Sequence, residues 1–386
     1  MVNHSSHQTL GSRILAAALS EFLPGLFVED VGVVCNGFYC DFSFSQPFSS
    51  EILVLLEERI RQIIREKRPI RVMEMIPFCA AEFLKKHGQN RRAAQVHGQD
   101  QYVPLIQIGS FVDWCEELPY THTGEAGFVR LIEQTSRGRD RYRIIGVGDV
   151  SKDALKARFK LYQQFPDLDH MKRGADRGFW EVIDGERIWL PDGLEVRRRL
   201  CGMWRKNFSS MAIEVEGDER QYPLISEKKQ KMAVMHLSWL EQPSRAMRGL
   251  LDDRHSLVWQ IISFVDLERD CISFLQIVHK SLTILGFTSR IRFSGKSRKQ
   301  SVIERSIENL GWEVDEETGG DESKLEFLVR DALQCEWVIA AIREPKPKGS
   351  VSATVWVERN LALLLEINDE SLGMDEFPLV GDHCGR

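Results

Sequence analysis

The sequence predicts an α+β fold, and three observations carry that prediction. Helical and strand periodicities are interleaved along the chain, a tight hairpin signal sits near its start, and a charged, Gly-containing connector separates two blocks of such elements. The 386 residues, 43% hydrophobic and 28% charged, are enough for two or three domains with sizeable cores.

The elements follow in order. Residues 9 to 23, "TLGSRILAAALSEFL", place Leu10, Ile14, Ala18 and Phe22 four apart, which makes one side of a helix apolar, and Pro24 ends it. "GVVCNGFYCDF" alternates as a hairpin, with Asn36-Gly37 supplying the positive φ of a tight turn. Ser49 is the expected cap of the next helix, whose Ile52, Leu55, Leu56, Ile60, Ile63 and Ile64 form an apolar stripe. Strand signals in "IRVMEMI", "VPLIQIGSFVDW" and "RYRIIGVGDV" complete a first domain over residues 1–150. Residues 151–178 read as one charged helix running into a Gly-containing connector, a helical joint. A second domain, 179–370, opens with two short strands around Asp184-Gly185 and a helix capped by Asp192. That helix buries Val196, Leu200, Met203 and Trp204 and turns Arg197, Arg198, Arg199, Arg205 and Lys206 elsewhere. Mixed elements continue to "VERNLALLLEI", and residues 371–386 form a tail with little periodic signal.

Bulk properties narrow the function classes. No run of about 18 apolar residues occurs, and "MVNHSSHQTLGSR" lacks the basic start and apolar stretch of a secretion signal, so a cytoplasmic location is expected. Eight cysteines are scattered without a CxxC pair, which fits reduced packing thiols rather than a disulfide frame or zinc knuckle. A net charge of -6 argues against non-specific coating of nucleic acid. Local basic stretches remain in "RRRLCGMWRK", "GKSRKQ" and "SRAMR".

In order and spacing, these elements resemble threonyl-tRNA synthetase over roughly residues 9 to 366. "NGFYCDF" followed by "PFSSEILVLLEERI" is similar to that family's hairpin and helix, "GSFVDWC" to its FVDxC strand, "RYRIIG" to its LQRIYG strand, and "WLPDGLEVRRRL" to its approach to motif 1. The resemblance implies an editing-type α/β domain followed by a reduced class II synthetase-like antiparallel sheet flanked by helices. On this reading the family's small N-terminal domain and anticodon-binding domain are both absent.

The resemblance also says which chemistry has changed. Its editing site uses HxxxH and CxxxH pairs. Here the first falls on Thr9 and Arg13, and the second on Cys115 and Pro119, beside Asp113 of the FVD strand. His4, His7 and His122 with Cys115 are a conceivable shifted metal set, since imidazole and thiolate bind zinc, against the plainer reading of a frayed tail and a packing thiol. In motif 2 the arginine that stabilises charge on the α-phosphate is replaced by Leu240, and the acid by Gln242. The zinc-binding histidines read Ile262 and Ser350, and the cysteine's segment is deleted, so neither zinc nor Mg-ATP is expected as a cofactor. Arg254, Lys324, Gln334 and Arg359 match remaining positions and form a vestigial nucleotide pocket, although for Arg359 a structural ion pair near Glu358 at a helix start is the favoured reading.

These readings lead to a non-catalytic paralogue that binds tRNA, another RNA or a protein partner, or pairs as a homodimer through the motif 1 helix. The RNA-contacting candidates are Arg197, Arg198, Arg199, Arg205 and Lys206. The alternative is a divergent enzyme, either an aminoacyl-tRNA deacylase or an amino-acid-activating enzyme using ATP. A structural or secreted interaction protein on the same fold is the third class.

Overall fold

The computed structural model describes residues 4–34, 36–96, 101–114, 120–138, 140–183, 186–215, 233–241, 248–264, 266–295, 301–318, 322–344 and 349–367. The chain forms two compact units, Met1–Gln164 and Phe165–Arg386.

The first unit contains α1 (His4–Phe22), β1 (Phe27–Val34), β2 (Gly37–Ser43), α2 (Ile52–Arg65), β3 (Arg71–Met75), α3 (Pro77–Lys86), α4 (Asn90–Val96), β4 (Val103–Ile108), β5 (Phe111–Trp114), β6 (Phe128–Ser136) and β7 (Arg141–Asp149). A 3-10 turn, Thr123–Ala126, precedes β6, and α5 (Lys152–Leu168) runs through the boundary of the units. Two antiparallel sheets form, in the orders β1-β2-β7-β6 and β3-β4-β5. The hairpin pairs Val34 with Gly37, and Asn36 takes φ 54° at its tip. The aromatics of β2 belong to the core: Phe38 and Phe42 are fully buried with Leu10, Ile14 and Ile60. Phe38 fits because two glycines flank it. A Cβ on Gly11 of α1 would lie 2.8 Å from its ring, and one on Gly146 of β7 2.6 Å.

The second unit contains α6 (His170–Asp176), β8 (Trp180–Ile183), β9 (Glu186–Trp189), α7 (Pro191–Phe208), β10 (Ala212–Glu214), β11 (Ala233–Glu241), β12 (His255–Ser263), α8 (Leu267–Ile284), β13 (Arg290–Gly295), α9 (Val302–Leu310), β14 (Asp315–Thr318), β15 (Ser323–Arg330), β16 (Glu336–Glu344), β17 (Val351–Trp356) and α10 (Val357–Ile367). Its sheet runs β10-β11-β12-β17-β16-β15-β13-β14, antiparallel except for the outermost pairs β10-β11 and β13-β14. Helices α7, α8 and α10 pack their apolar stripes on it, with Trp204, Phe208, Phe274 and Leu361 buried together. Such side chains each contribute about 1.5–3 kcal/mol when fully buried.

Local details depart from the sequence expectations. The stretch 151–178 is two helices, because the Asp169 carboxylate accepts a hydrogen bond from Met171 N and starts α6. Asp192 lies inside the first turn of α7, with Leu190 as N-cap and Pro191 at the first helical position. Ser49 accepts from Glu51 N at 3.3 Å one turn before α2, whose N-cap is Glu51. The expectation of wholly reduced cysteines fails at Cys335, which is disulfide-bonded. Cys40, Cys79, Cys201 and Cys271 are free, and burial pushes the Cys201 thiol up to about 11 and Cys271 to about 12. Among the described residues, no helix is long and apolar enough to cross a membrane.

Candidate functional site

In the second unit, β11, β12, β16 and β17 carry the positions that the resemblance assigns to nucleotide chemistry. Leu240 of β11 packs on a small apolar cluster of Val258, Ala341 and Trp356, together with Val338. Hydrocarbon therefore fills the place assigned to a phosphate-binding arginine. Ile262 of β12 faces Ser352 of β17 in a plain antiparallel ladder, so backbone pairing continues through a position that the resemblance assigns to a zinc ligand.

The four remaining nucleotide-pocket candidates each have their own surroundings. Arg254 grips Glu241 in an exposed ion pair, at 2.7 Å. Lys324 binds Glu326 at 2.9 Å, a carboxylate it shares with Arg292. Gln334 is exposed at a turn with φ 62°. Arg359 is turned inward: Nε donates to Leu251 O at 3.1 Å, Nη1 to Val338 O at 2.7 Å, and the guanidinium lies 5.0 Å from the Trp356 ring centroid. Burial lowers its pKa to about 10, against the opposing charge of Asp252. Its role is to tie α10 to β16 and to the 3-10 turn Gly249–Asp252.

A buried polar network lies at the far end of α10. Glu366 receives Arg248 Nη2 at 2.9 Å, Ala332 N at 2.8 Å and His170 Nδ1 at 2.6 Å, while Asp331 takes Arg248 at 2.9 Å and Trp337 Nε1 at 2.8 Å. His170 Nε2 accepts from Leu250 N at 3.1 Å, so the imidazole is the neutral Nδ1-H tautomer donating to Glu366. Burial would raise the Glu366 pKa, but the His170 hydrogen bond and the Arg248 charge outweigh it and hold the carboxyl below its ordinary value. Among the described residues, Asp169, His170 and Glu366 bring ligand atoms within 4.8 Å of one another. Both imidazole nitrogens and both Glu366 oxygens already have protein partners, so a cation there would have to displace Arg248.

In the first unit, Arg13 of α1 and Asp113 of β5 meet at 3.0 Å and are 7% and 1% exposed. Arg92 of α4 joins the same carboxylate at 3.1 Å and reaches Asp30 at 2.7 Å, and Tyr39 donates to Asp30 at 2.6 Å. Arginine, at the position that the resemblance assigns to a histidine, is thus one half of a charge pair. Thr9 lies one turn earlier on α1, and its carbonyl accepts from Ser12 Oγ at 2.7 Å. Cys115 and Pro119 lie outside the described residues, and the His7 ring lies 5.4 Å from that of Tyr120, tilted by 46°.

The basic face of α7 is largely committed to neighbours. Arg197 reaches the buried Glu358 at 3.1 Å and lies 4.8 Å from the Trp189 ring. Arg198 and Arg199 both pair with Glu195, and Arg205 with Glu214. Lys206 is exposed at the end of the helix. Residues 296–300 of "GKSRKQ" lie outside the described residues.

Sequence reasoning missed Arg92, Asp30, Arg248, Asp331, His170 and Glu366. Each is an ordinary polar residue in its local context, and the partners are up to 196 residues apart. The one usable signal was a polar residue in an otherwise apolar helix, as at Glu366 in "LALLLEI".

No protein-family model matches the chain. Threonine-tRNA ligase of Parvibaculum lavamentivorans is 24% identical over 428 residues, covering 86% of this chain and 65% of the ligase. That of Verminephrobacter eiseniae is 28% identical over 224 residues, covering 54% of this chain and 34% of the ligase. The chain thus spans less than two thirds of the length of these relatives. The solved RNA binding domain of threonyl-tRNA synthetase from Cryptosporidium parvum gives a TM-score of 0.42 at 14% identity, over 52% of this chain and 72% of that one.

Proposed function

We propose, from this chain's relationship to the threonine-tRNA ligases, that it is a non-catalytic relative which works by binding tRNA or another RNA. The carrying observation is the apolar packing of Leu240 with Val258, Ala341 and Trp356. Adenylate formation builds negative charge on the α-phosphate, and hydrocarbon supplies no cation or hydrogen-bond donor to stabilise it. Removing one such stabiliser typically lowers a rate by about 10² to 10³. Arg359 is turned inward and donates from Nε and Nη1 to two backbone carbonyls, which supports a structural role for it.

Two assays on the full chain test this reading. ATP-pyrophosphate exchange with threonine or serine should stay at background, and a labelled tRNA should bind in a fluorescence titration. Exchange above background, or no RNA affinity at low salt, defeats it.

One observation favours a second reading, a residual aminoacyl-tRNA deacylase. Arg13 Nη1, on the guanidinium paired with Asp113, and Tyr120 Oη are buried without a hydrogen-bond partner. Unsatisfied buried polar atoms are rare, and ordered water or a ligand often explains them. Release of amino acid from mischarged tRNA, abolished by Asp113→Asn, would establish this reading in place of the first.

A further inference from the structure

A cleft of about 560 Å³ opens on the first unit between α2, the beginning of β6 and the first turns of α5. Its size falls within the usual range for small-ligand sites. Five cationic side chains line it, Arg61 and Arg65 from α2, Arg130 from β6, and Lys152 and Lys156 from α5, against two carboxylates, an excess of three positive charges. That excess stands out in a chain of net charge -6.

Both carboxylates are already engaged. Glu57 receives Arg61 and Leu131 N, each at 2.8 Å, and Glu58 pairs with Arg61 and Arg65. Among the described residues, Arg130 and Lys152 form no ion pair. Arg130 lies 3.6 Å above the Phe159 ring and Lys152 5.5 Å from that of Phe128, while Lys156 has only Asp153, at 3.9 Å. The lining between the cations is apolar, and Phe128 is 38% exposed there.

Two further features define what fits. β6 is an edge strand, but the Glu57 carboxylate caps Leu131 N, so the cleft does not offer a free backbone edge to an added strand. The 17-residue α5 begins at Lys152, which adds the positive end of a helix dipole to the lysines. A monocarboxylate would leave most of this charge unanswered, whereas a phosphate ester carries up to two charges and binds several cations together.

We propose that this cleft binds a nucleotide phosphate, with the base on the exposed Phe128 ring and the phosphate among Arg130, Lys152 and Lys156. The nucleotide comes either free or as part of an RNA chain, and the site stands whether or not the second unit retains chemistry.

The test is calorimetric titration of the full chain at low salt with AMP, adenosine, inorganic phosphate and a short single-stranded RNA. AMP or the RNA should bind, adenosine should bind more weakly than AMP, and Lys152→Glu with Lys156→Glu should lower the affinity tenfold or more without moving the melting temperature. Binding of AMP identifies the free nucleotide as a source, and binding of the RNA alone identifies the chain. Phe128→Ala should weaken AMP while leaving inorganic phosphate unchanged. Reversal of Lys85 and Lys86, exposed on α3, should change affinity by no more than about twofold if binding is local. The proposal falls if neither AMP nor RNA binds at millimolar concentration, or if the Lys152 and Lys156 reversals have no more effect than those at Lys85 and Lys86.

Discussion

Arg13 Nε stands 3.0 Å from Asp113 Oδ2, joining α1 to β5 through two charges that are almost wholly removed from solvent. Neither Arg13 Nε nor the Asp113 oxygens make a hydrogen bond, so the attraction is mainly electrostatic, and Arg92 on the other oxygen shares it. Taking charges out of water costs several kcal/mol per ion, and mutual attraction only offsets this.

Asp113→Ala should therefore be far more damaging than removal of the whole pair. It strands the buried Arg13 guanidinium, while Arg92 keeps Asp30, and a loss of about 3–5 kcal/mol is expected in urea unfolding. Arg13→Leu combined with Asp113→Leu should recover much of it. Equal losses in the single and double variants would show that packing, rather than stranded charge, dominates.

Glu358 and Glu366 on α10 should give opposite pH slopes. Burial raises Glu358 in spite of Arg187, Leu257 N and Arg197, so its contribution is largest below the unfolded carboxylate pKa and is lost as pH rises through the folded value. Glu366 is lowered, burial being outweighed by His170 and Arg248, so its contribution is present above the unfolded pKa of about 4.3 and is lost on acidification. Glu366→Gln should flatten the acid limb of the stability curve and destabilise at neutral pH. Glu358→Gln should be much milder there, and chemical denaturation from pH 3 to 8 separates the two.

Arg359→Ala should lower stability by about 2–6 kcal/mol, since two carbonyls lose their donor at about 1–3 kcal/mol each. Nucleotide affinity of the full chain should not change. A parallel loss of ATP binding in calorimetry would restore Arg359 as a ligand contact.

Leu240→Arg reinstates the residue type of the family's motif 2, yet the side chain would enter the cluster of Val258, Ala341 and Trp356. The expected result is a lower melting temperature with ATP-pyrophosphate exchange still at background. Gain of exchange would mean that the rest of the site had stayed intact.

What could be read from the sequence was whatever depends on neighbours in the chain. The apolar spacing of α1 and α2, the Asn36-Gly37 hairpin and the aromatic content of β2 follow from periodicities of 3.6 and 2 and from one turn residue. The substitutions at Arg13, Leu240 and Ile262 were equally visible, because each falls in a stretch that resembles a family pattern. What each replacement does was not. Pairing Arg13 with Asp113 crosses 100 positions, the His170 to Glu366 bond crosses 196, and the cations of the cleft come from two helices and a strand. Side-chain charge and burial depend on distance in space, and only the folded chain sets those distances.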